Sequence, residues 1–206
     1  MADLGISLSG RLEAMYQLMK DAQVDAYLVL SSDAHLNEYT PEYSCRRTAI
    51  TGFRGSAGDA LICPEGNHIF VDSRYYLQAD EEVDSTKFRV HKLGLSGEHT
   101  LSQWLTEMER ERGSIRVGFD PFVVSTQAHA AYSEALRSPD SELVPIDANL
   151  VDAVWEDQPV PPSNPIYALL EAVTGSSVAK KLSNVRKEMV EAGVDLLVLT
   201  KLDEIA

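Results

Sequence analysis

The chain repeats part of its own beginning near its end. A stretch that starts at Met19 matches one that starts at Met189. The match continues as far as Asp33 in the first copy, which aligns with Asp203 in the second. Each copy has apolar residues at helical spacing, then Ala-Gln or Ala-Gly, then an apolar run that opens with Val-Asp. This pattern is typical of a helix, a turn and a strand. The repeat therefore predicts a second copy of one structural unit.

The second copy is too short to be a domain. It has about forty residues, which cannot enclose a hydrophobic core of their own. Four prolines lie between Glu156 and Pro165, and they predict an extended linker. We therefore expect a first domain over residues 1–155, a linker over 156–165, and the start of a truncated second copy over 166–206. On this basis the chain is expected to be a fragment of a longer protein.

Composition restricts the class of protein. Apolar residues make up 44% of the chain, enough for one ordinary core, and the formal net charge of −14 disfavours nucleic acid and anionic membranes as partners. The two cysteines lack metal-type spacing, which predicts free thiols in a reducing compartment. No apolar run is long enough for a membrane span or a secretory signal. A cytoplasmic protein without a membrane partner is expected.

The first domain alternates between helical and strand patterns. Helices are predicted from a cap at Ser9 through Met19, after a cap at Ser73, over Thr100–Arg112, and from about Ser125 to Leu136. Strands are predicted at Val24–Leu30, Thr48–Gly52, Asp59–Cys63, His68–Val71, Phe88–His91, Arg116–Phe119 and Leu143–Ile146. The turn-forming residues 64–67 predict a hairpin, which is antiparallel. The fold class is therefore α/β, with a mixed sheet flanked by helices.

Motifs for nucleotide binding and nucleophilic catalysis are incomplete. The segment from Gly52 to Gly58 is rich in glycine, but no Gly-Lys-Ser/Thr follows, so it is not a P-loop. Ser56 lacks the Gly-x-Ser-x-Gly pattern of a nucleophile elbow. The glycines are better explained by positive φ or close backbone approach at a tight bend. Cys45 lies beside two arginines, which would favour a thiolate, yet it has no evident histidine partner. A hydrolase that uses Ser56 or Cys45 is therefore disfavoured.

Two polar residues leave more than one interpretation open. His35 has Asp33 and Glu38 nearby, but this spacing does not specify a metal site, and a hydrogen-bonded loop histidine is favoured. Arg74 lies at a junction between a strand and a helix, where side chains often project into clefts. Its guanidinium could hold a carboxylate of a ligand. The spacing alone favours a salt bridge to Asp72 or Asp33.

Several motifs in this order resemble a known family. They are Ser32–Tyr39, Cys45–Arg47, Thr51–Gly58, Asp72–Ala79 and Asn149–Trp155, with Leu202–Ala206 at the end. Together they resemble the N-terminal region of the eukaryote-type, three-domain Xaa-Pro aminopeptidase (aminopeptidase P), over essentially the whole chain. The resemblance implies the creatinase/prolidase N-terminal fold, present twice before a C-terminal "pita-bread" catalytic domain. The chain would then hold one complete copy and the first helix and strand of the second.

The resemblance also implies a reaction. Such enzymes are metallo-hydrolases that remove the N-terminal residue from peptides with proline at position 2, usually with two manganese ions. The metal ligands of the family belong to the C-terminal domain, so no catalytic residue and no metal ligand is assigned to this chain. The chain alone is expected to be inactive. Its expected partners are the peptide, its own catalytic domain and a second copy in a homodimer.

Substrate-binding residues are carried over from the family by motif. The arginine of the family's Asp-Gly-Arg-Tyr motif corresponds to Arg74, although Ser73 replaces the usual glycine here. Secondary candidates for the same face are His35, Tyr39, Arg47 and Phe53. The domain would shape the substrate cleft, while the chemistry occurs elsewhere. The alternative is a stand-alone, non-catalytic interaction module with the same fold.

Overall fold

A computed structural model describes residues 7–205 of the chain. Its contacts divide the chain into two compact units, one that ends at Val160 and one that begins at Pro161. The domain ranges expected from the sequence, 1–155, 156–165 and 166–206, stay a prediction. None of the helices within residues 7–205 has the length and apolar character needed to cross a membrane.

The first unit is built around one six-stranded sheet. Its strands are β1 (Ala26–Val29), β2 (Asp59–Ile62), β3 (Asn67–Val71), β4 (Phe88–Lys92), β5 (Arg116–Phe119) and β6 (Glu142–Pro145). Its helices are α1 (Leu8–Asp21), α2 (Arg46–Thr51), α3 (Tyr76–Glu82), α4 (Leu101–Arg112) and α5 (Thr126–Ala135). The strand order is β4-β3-β2-β1-β5-β6. Strand β2 is antiparallel to β1 and β3, and the other neighbours are parallel. The predicted mixed α/β sheet is confirmed.

Both faces of the sheet are covered. In β1, Tyr27 and Val29 belong to one buried cluster, whereas Ala26 and Leu28 belong to the other. Successive side chains of a strand point to opposite faces, so a strand buried on both faces has a continuous apolar run. Helices α1 to α3 contribute to the first cluster, and α4 contributes to the second. This explains why β1 has no alternating pattern in the sequence.

One predicted strand is wrong. The segment Thr48–Gly52 lies largely in helix α2, which ends at Gly52 in a left-handed conformation with φ of 78°. Ile50 and Thr51 are β-branched, which favours a strand by composition, but a short apolar run does not distinguish a strand from a buried helix. Glycine after the last helical residue is a common helix stop. The glycine therefore ends a helix rather than a strand.

Both predicted helix caps are displaced, and two further caps lie where predicted helices begin. Helix α1 is capped by Ser7, whose Oγ accepts a hydrogen bond from the Gly10 N–H, rather than by Ser9. The predicted cap at Ser73 is replaced by Asp72, which precedes a 3-10 turn and then α3. Thr100 forms a reciprocal capping box with Gln103 at the start of α4, and Ser125 caps α5.

The second unit contains the repeated helix but not the repeated strand. Its helices are α6 (Glu171–Thr174), α7 (Val178–Ala192) and α8 (Leu202–Ile205). Helix α7 is capped by Ser177 and ends at Gly193 in a left-handed conformation, so the predicted helix and turn are confirmed. Residues 194–199, predicted as a strand, form none. A strand needs a hydrogen-bonded neighbour, and the part of this unit that the structure describes contains no other strand.

A buried carboxylate joins α4 to the chain that follows α5. Glu109 is 7% exposed, and its carboxylate accepts hydrogen bonds from the backbone N–H groups of Arg137 and Ser138, at 2.8 and 3.0 Å. We expect Glu109→Gln to lower the free energy of unfolding by about 1–2 kcal/mol, because the amide would point a donor at these donors. Chemical denaturation measures the loss. Glu111→Gln, an exposed change on the same helix, is the control and should cost under about 0.5 kcal/mol; equal losses would contradict the prediction.

Candidate functional site

Arg74 is presented at the surface by the turn that follows β3. The Asp72 carboxylate accepts a hydrogen bond from the Arg74 backbone N–H at 3.0 Å and from Nε and Nη2 at 2.9 and 2.8 Å. The Arg74 side chain is nevertheless 62% exposed. These hydrogen bonds lower the pKa of Asp72 and raise that of Arg74. The salt bridge that the spacing predicted is confirmed, with Asp72 as the partner.

An aromatic ring lies on the other side of Arg74. The guanidinium carbon is 5.1 Å from the centre of the Tyr75 ring, within the range of a cation–π contact. The Tyr75 hydroxyl is 2.6 Å from Ser56 Oγ, and the ring of Phe53 meets Tyr75 edge-on at 5.7 Å between centroids. Arg74 thus contacts both a carboxylate and a ring that is itself held by other residues.

The glycine segment 52–58 carries Ser56 and is held from beneath by Arg47. Arg47 is 6% exposed; its Nη1 donates to the Gly58 carbonyl at 2.8 Å, and its Nη2 donates to the Gly55 carbonyl. Burial lowers the pKa of Arg47, because the charged form loses its hydration. A Cβ at Gly55 would overlap Phe53 and lie 2.8 Å from the Tyr75 ring. The predicted close backbone approach of this segment is therefore confirmed.

A small cavity adjoins this segment. It has a volume of about 200 Å³, and its lining includes Glu38, Tyr39, Cys45, Arg54 and Ser56. Ser56 belongs both to the cavity and to the hydrogen bond with Tyr75, so the cavity borders the surface around Arg74. This places exposed polar and aromatic groups next to the guanidinium.

The two candidate nucleophiles lack the surroundings of a catalytic group. Burial raises the pKa of the Cys45 thiol, which donates to the carbonyls of Thr40 and Pro41, at 3.4 Å each. This holds the thiol in its protonated, unreactive form. Ser56 pairs with a tyrosine hydroxyl, which is a weak base. The arrangement supports a structural role for both residues.

The residues predicted for the substrate face occupy different depths. Tyr39 is 79% exposed, whereas Phe53 is fully buried and Arg47 nearly so, beneath the surface that carries Arg74. His35 is exposed and lines a separate cavity of about 260 Å³. The placement of Arg47 and Phe53 favours support of the surface over contact with a peptide.

Two residues of this surface are not among the predicted candidates. Tyr75 follows Arg74 directly, and an aromatic residue beside an exposed cation is a signal that the sequence does contain. Ser56 carries no such signal, since its partner is 19 residues away. Contacts of this kind depend on how the chain folds back on itself.

A metal centre does not fit the residues that the structure describes. Among residues 7–205, no group of three or more His, Cys, Asp or Glu side chains is close enough together to hold a metal ion. Catalytic zinc, for comparison, takes three protein ligands and an open position. No step of catalysis is therefore derived through a metal bound to these residues.

Comparison with known families gives two matches along the chain. The family model of the Creatinase/Prolidase N-terminal domain matches residues 11–154, and a second model with the same description matches residues 157–206. The first match covers more than half of the chain. It includes all six strands of the sheet and the whole surface around Arg74.

Individual relatives agree with this assignment. The human "Xaa-Pro aminopeptidase 2" is 41% identical over 179 residues, which are 86% of this chain and 26% of the relative. The Drosophila melanogaster "Xaa-Pro aminopeptidase ApepP" is 40% identical over 202 residues, which are 95% of this chain and 32% of the relative. The chain thus spans about a quarter to a third of the length of these relatives.

A solved structure extends the similarity to three dimensions. The X-prolyl aminopeptidase of Caenorhabditis elegans, described as a cytosolic enzyme with a di-nuclear active site, matches with a TM-score of 0.84 and 29% identity. The match covers 97% of this chain and 34% of that one. The resemblance inferred from the motifs is confirmed: this chain belongs to the creatinase/prolidase N-terminal domain family and is similar to part of the Xaa-Pro aminopeptidases named above.

Proposed function

We propose that this chain is the non-catalytic N-terminal region of a metal-dependent Xaa-Pro aminopeptidase that removes the N-terminal residue from peptides with proline at position 2. The names of the relatives and the di-nuclear site of the C. elegans enzyme support this proposal. The two metal ions, proposed to be manganese, would be held by residues of the enzyme other than these. A cytoplasmic location and a homodimer are further parts of the proposal.

Within that enzyme, the surface around Arg74 would border the substrate cleft. Arginine has five N–H donors, and Asp72 takes two of those on the Arg74 guanidinium. The others remain available for a carbonyl or carboxylate of a peptide, because the side chain is largely exposed. Asp72 limits the directions in which the guanidinium can point. Such a residue assists hydrolysis by positioning the peptide, rather than by taking part in bond cleavage.

The observation that supports this role is the exposed Arg74, whose guanidinium is oriented by the Asp72 carboxylate, in a segment that resembles a motif of the family. In the full-length enzyme, we expect Arg74→Ala to lower kcat/KM for an Xaa-Pro peptide by about 10- to 100-fold, the range of one charge-assisted hydrogen bond. Arg74→Lys keeps the charge but loses the fork geometry, so we expect an intermediate loss. Steady-state kinetics with purified variants measures both.

The control is another exposed arginine that is ion-paired on its own element. Arg110 pairs with Glu107 on α4 and is 74% exposed, so Arg110→Ala should leave kcat/KM unchanged. An unchanged kcat/KM in Arg74→Ala would rule out the proposed role. The alternative of a stand-alone module instead predicts a native protein of about 22.7 kDa, which the intact mass of the protein from its source would reveal.

A further inference from the structure

The direction of Arg74 is set from two sides. Asp72 lies in the same turn, and its pair with Arg74 is exposed, so solvent screens this contact. The ring of Tyr75 is the second restraint, and it lies 5.1 Å from the guanidinium carbon. Fixing an arginine side chain costs rotamer entropy, which a weak ion pair alone offsets poorly. The ring therefore matters for where the free N–H groups point.

The ring of Tyr75 is fixed by contacts outside its own turn. Its hydroxyl is bonded to Ser56 at 2.6 Å, and the edge of Phe53 packs against it with an interplanar angle of 83°. Both contacts come from the glycine segment 52–58. A Cβ at Gly55 would collide with both rings, so this packing also depends on the glycine.

The glycine segment is in turn rigidly attached to the core. Arg47 bonds two of its carbonyls from helix α2, and Thr48 Oγ1 donates to the Phe53 carbonyl at 2.8 Å. The Arg54 N–H donates to a Glu82 carboxylate oxygen at 2.7 Å. A segment restrained at both ends can hold Ser56, and through Ser56 the ring, in one place.

We infer that Tyr75 is a positioning residue: its hydrogen bond to Ser56 fixes the ring against which Arg74 lies, and thereby the direction in which Arg74 meets a peptide. The inference rests on the proposed role of Arg74. It assigns Tyr75 and Ser56 a function that acts through Arg74, without contact to the reacting atoms.

Removing one hydroxyl isolates this effect. Tyr75→Phe keeps the ring, the cation–π contact and the packing against Phe53, but it breaks the bond to Ser56. Ser56→Ala breaks the same bond from the other partner. In the full-length enzyme, we expect each variant to raise KM for an Xaa-Pro peptide about 3- to 10-fold with kcat nearly unchanged, because the contact acts equally on bound substrate and transition state.

A double-mutant cycle separates positioning from structure. If Tyr75 acts through Arg74, Tyr75→Phe raises KM in the wild-type background and has no further effect in the Arg74→Ala background. Likewise, Ser56→Ala has no further effect in the Tyr75→Phe background. Because each single variant removes one polar contact at the surface, the fold is expected to persist, and thermal unfolding of each variant checks this.

The outcomes distinguish this inference from the proposed function. An unchanged kcat/KM in Arg74→Ala would overturn the proposed role of Arg74 and, with it, the positioning of Arg74 by Tyr75. A normal loss in Arg74→Ala with no effect of Tyr75→Phe would overturn only the inference. So would an effect of Tyr75→Phe that persists undiminished in the Arg74→Ala background, since Tyr75 would then act independently.

Discussion

Replacing Arg47 by methionine is expected to destabilise the first unit by about 2–4 kcal/mol, because two carbonyl acceptors, one of them in a buried hydrogen bond, lose a charged donor. The acceptors belong to Gly55 and Gly58, and Arg47 reaches them from α2. Methionine fills a similar volume and introduces no charge, so the loss reports the hydrogen bonds rather than a cavity. Arg47→Lys should lose less, since an ammonium group can serve one of the two acceptors.

Urea denaturation followed by tryptophan fluorescence measures the change in the free energy of unfolding. The matched control is Arg54→Met, seven residues away, where the side chain is exposed. We expect this control to shift stability by less than about 0.5 kcal/mol. If the two methionine variants lost the same amount, Arg47 would not be the anchor of the glycine segment.

Lowering the pH from 7 to 4.5 is expected to destabilise the first unit by about 2 kcal/mol or more, because a pair of buried histidines resists protonation. His68 Nδ1 and His91 Nε2 are 3.0 Å apart, and His91 stacks on Phe70 at 4.5 Å between centroids. Burial lowers the pKa of each histidine from 6.5 to about 4. Arg89 adds to the shifts, whereas Glu98 opposes that of His91.

The sign follows from which state binds the proton. Between pH 6.5 and about 4, the unfolded chain protonates its histidines while the folded chain keeps them neutral. The contribution of the neutral histidines to the free energy of unfolding is therefore fully present above pH 6.5, and it is lost as the pH falls towards 4. Asp59 acts in the opposite direction, since burial raises its pKa. One histidine with these pKa values accounts for about 2 kcal/mol. The second adds to the loss, because a proton on one ring disfavours a proton on the other in the folded chain.

The measurement is the free energy of unfolding at pH 7, 5.5 and 4.5. A His68→Phe/His91→Phe double variant should lose most of the pH dependence, and comparing slopes removes any change in packing. His129→Gln, at an exposed position, serves as the control and should retain the dependence. A wild-type stability that stays constant from pH 7 to 4.5 would contradict the prediction.

Local patterns predicted most helices and strands of the first unit, because their caps and apolar runs lie within a few residues of one another. Helix α4 is recognisable from Thr100 and Gln103, three residues apart, and the apolar run of β1 stands out without its neighbours. Helix α2 was missed because its β-branched residues favour a strand, and only the packing of α2 decides otherwise. The strand predicted at residues 194–199 did not form, and the reason is different. Its pattern is correct for a strand, but strand formation depends on a partner.

The candidate site was predictable only where its contacts join residues that are close together in the sequence. The pair of Asp72 and Arg74 follows from a spacing of two residues. The contacts of Ser56 with Tyr75 and of Arg47 with Gly58 join segments that the chain brings together only by folding. Burial of Phe53 likewise depends on which face of its segment meets the core. Motif similarity identified the surface, but only the fold shows which residues support it from beneath.

The anchoring of the glycine segment determines which of its side chains can be substituted without loss of stability. Its path is fixed by Arg47 and by a backbone N–H of Arg54, whereas the Arg54 side chain is exposed beside the cavity. A change of side chain at position 54 therefore leaves the anchoring bonds intact. Members of this domain family could therefore differ in side chain at this tip without losing stability, and a designer could randomise position 54 while keeping position 47 fixed.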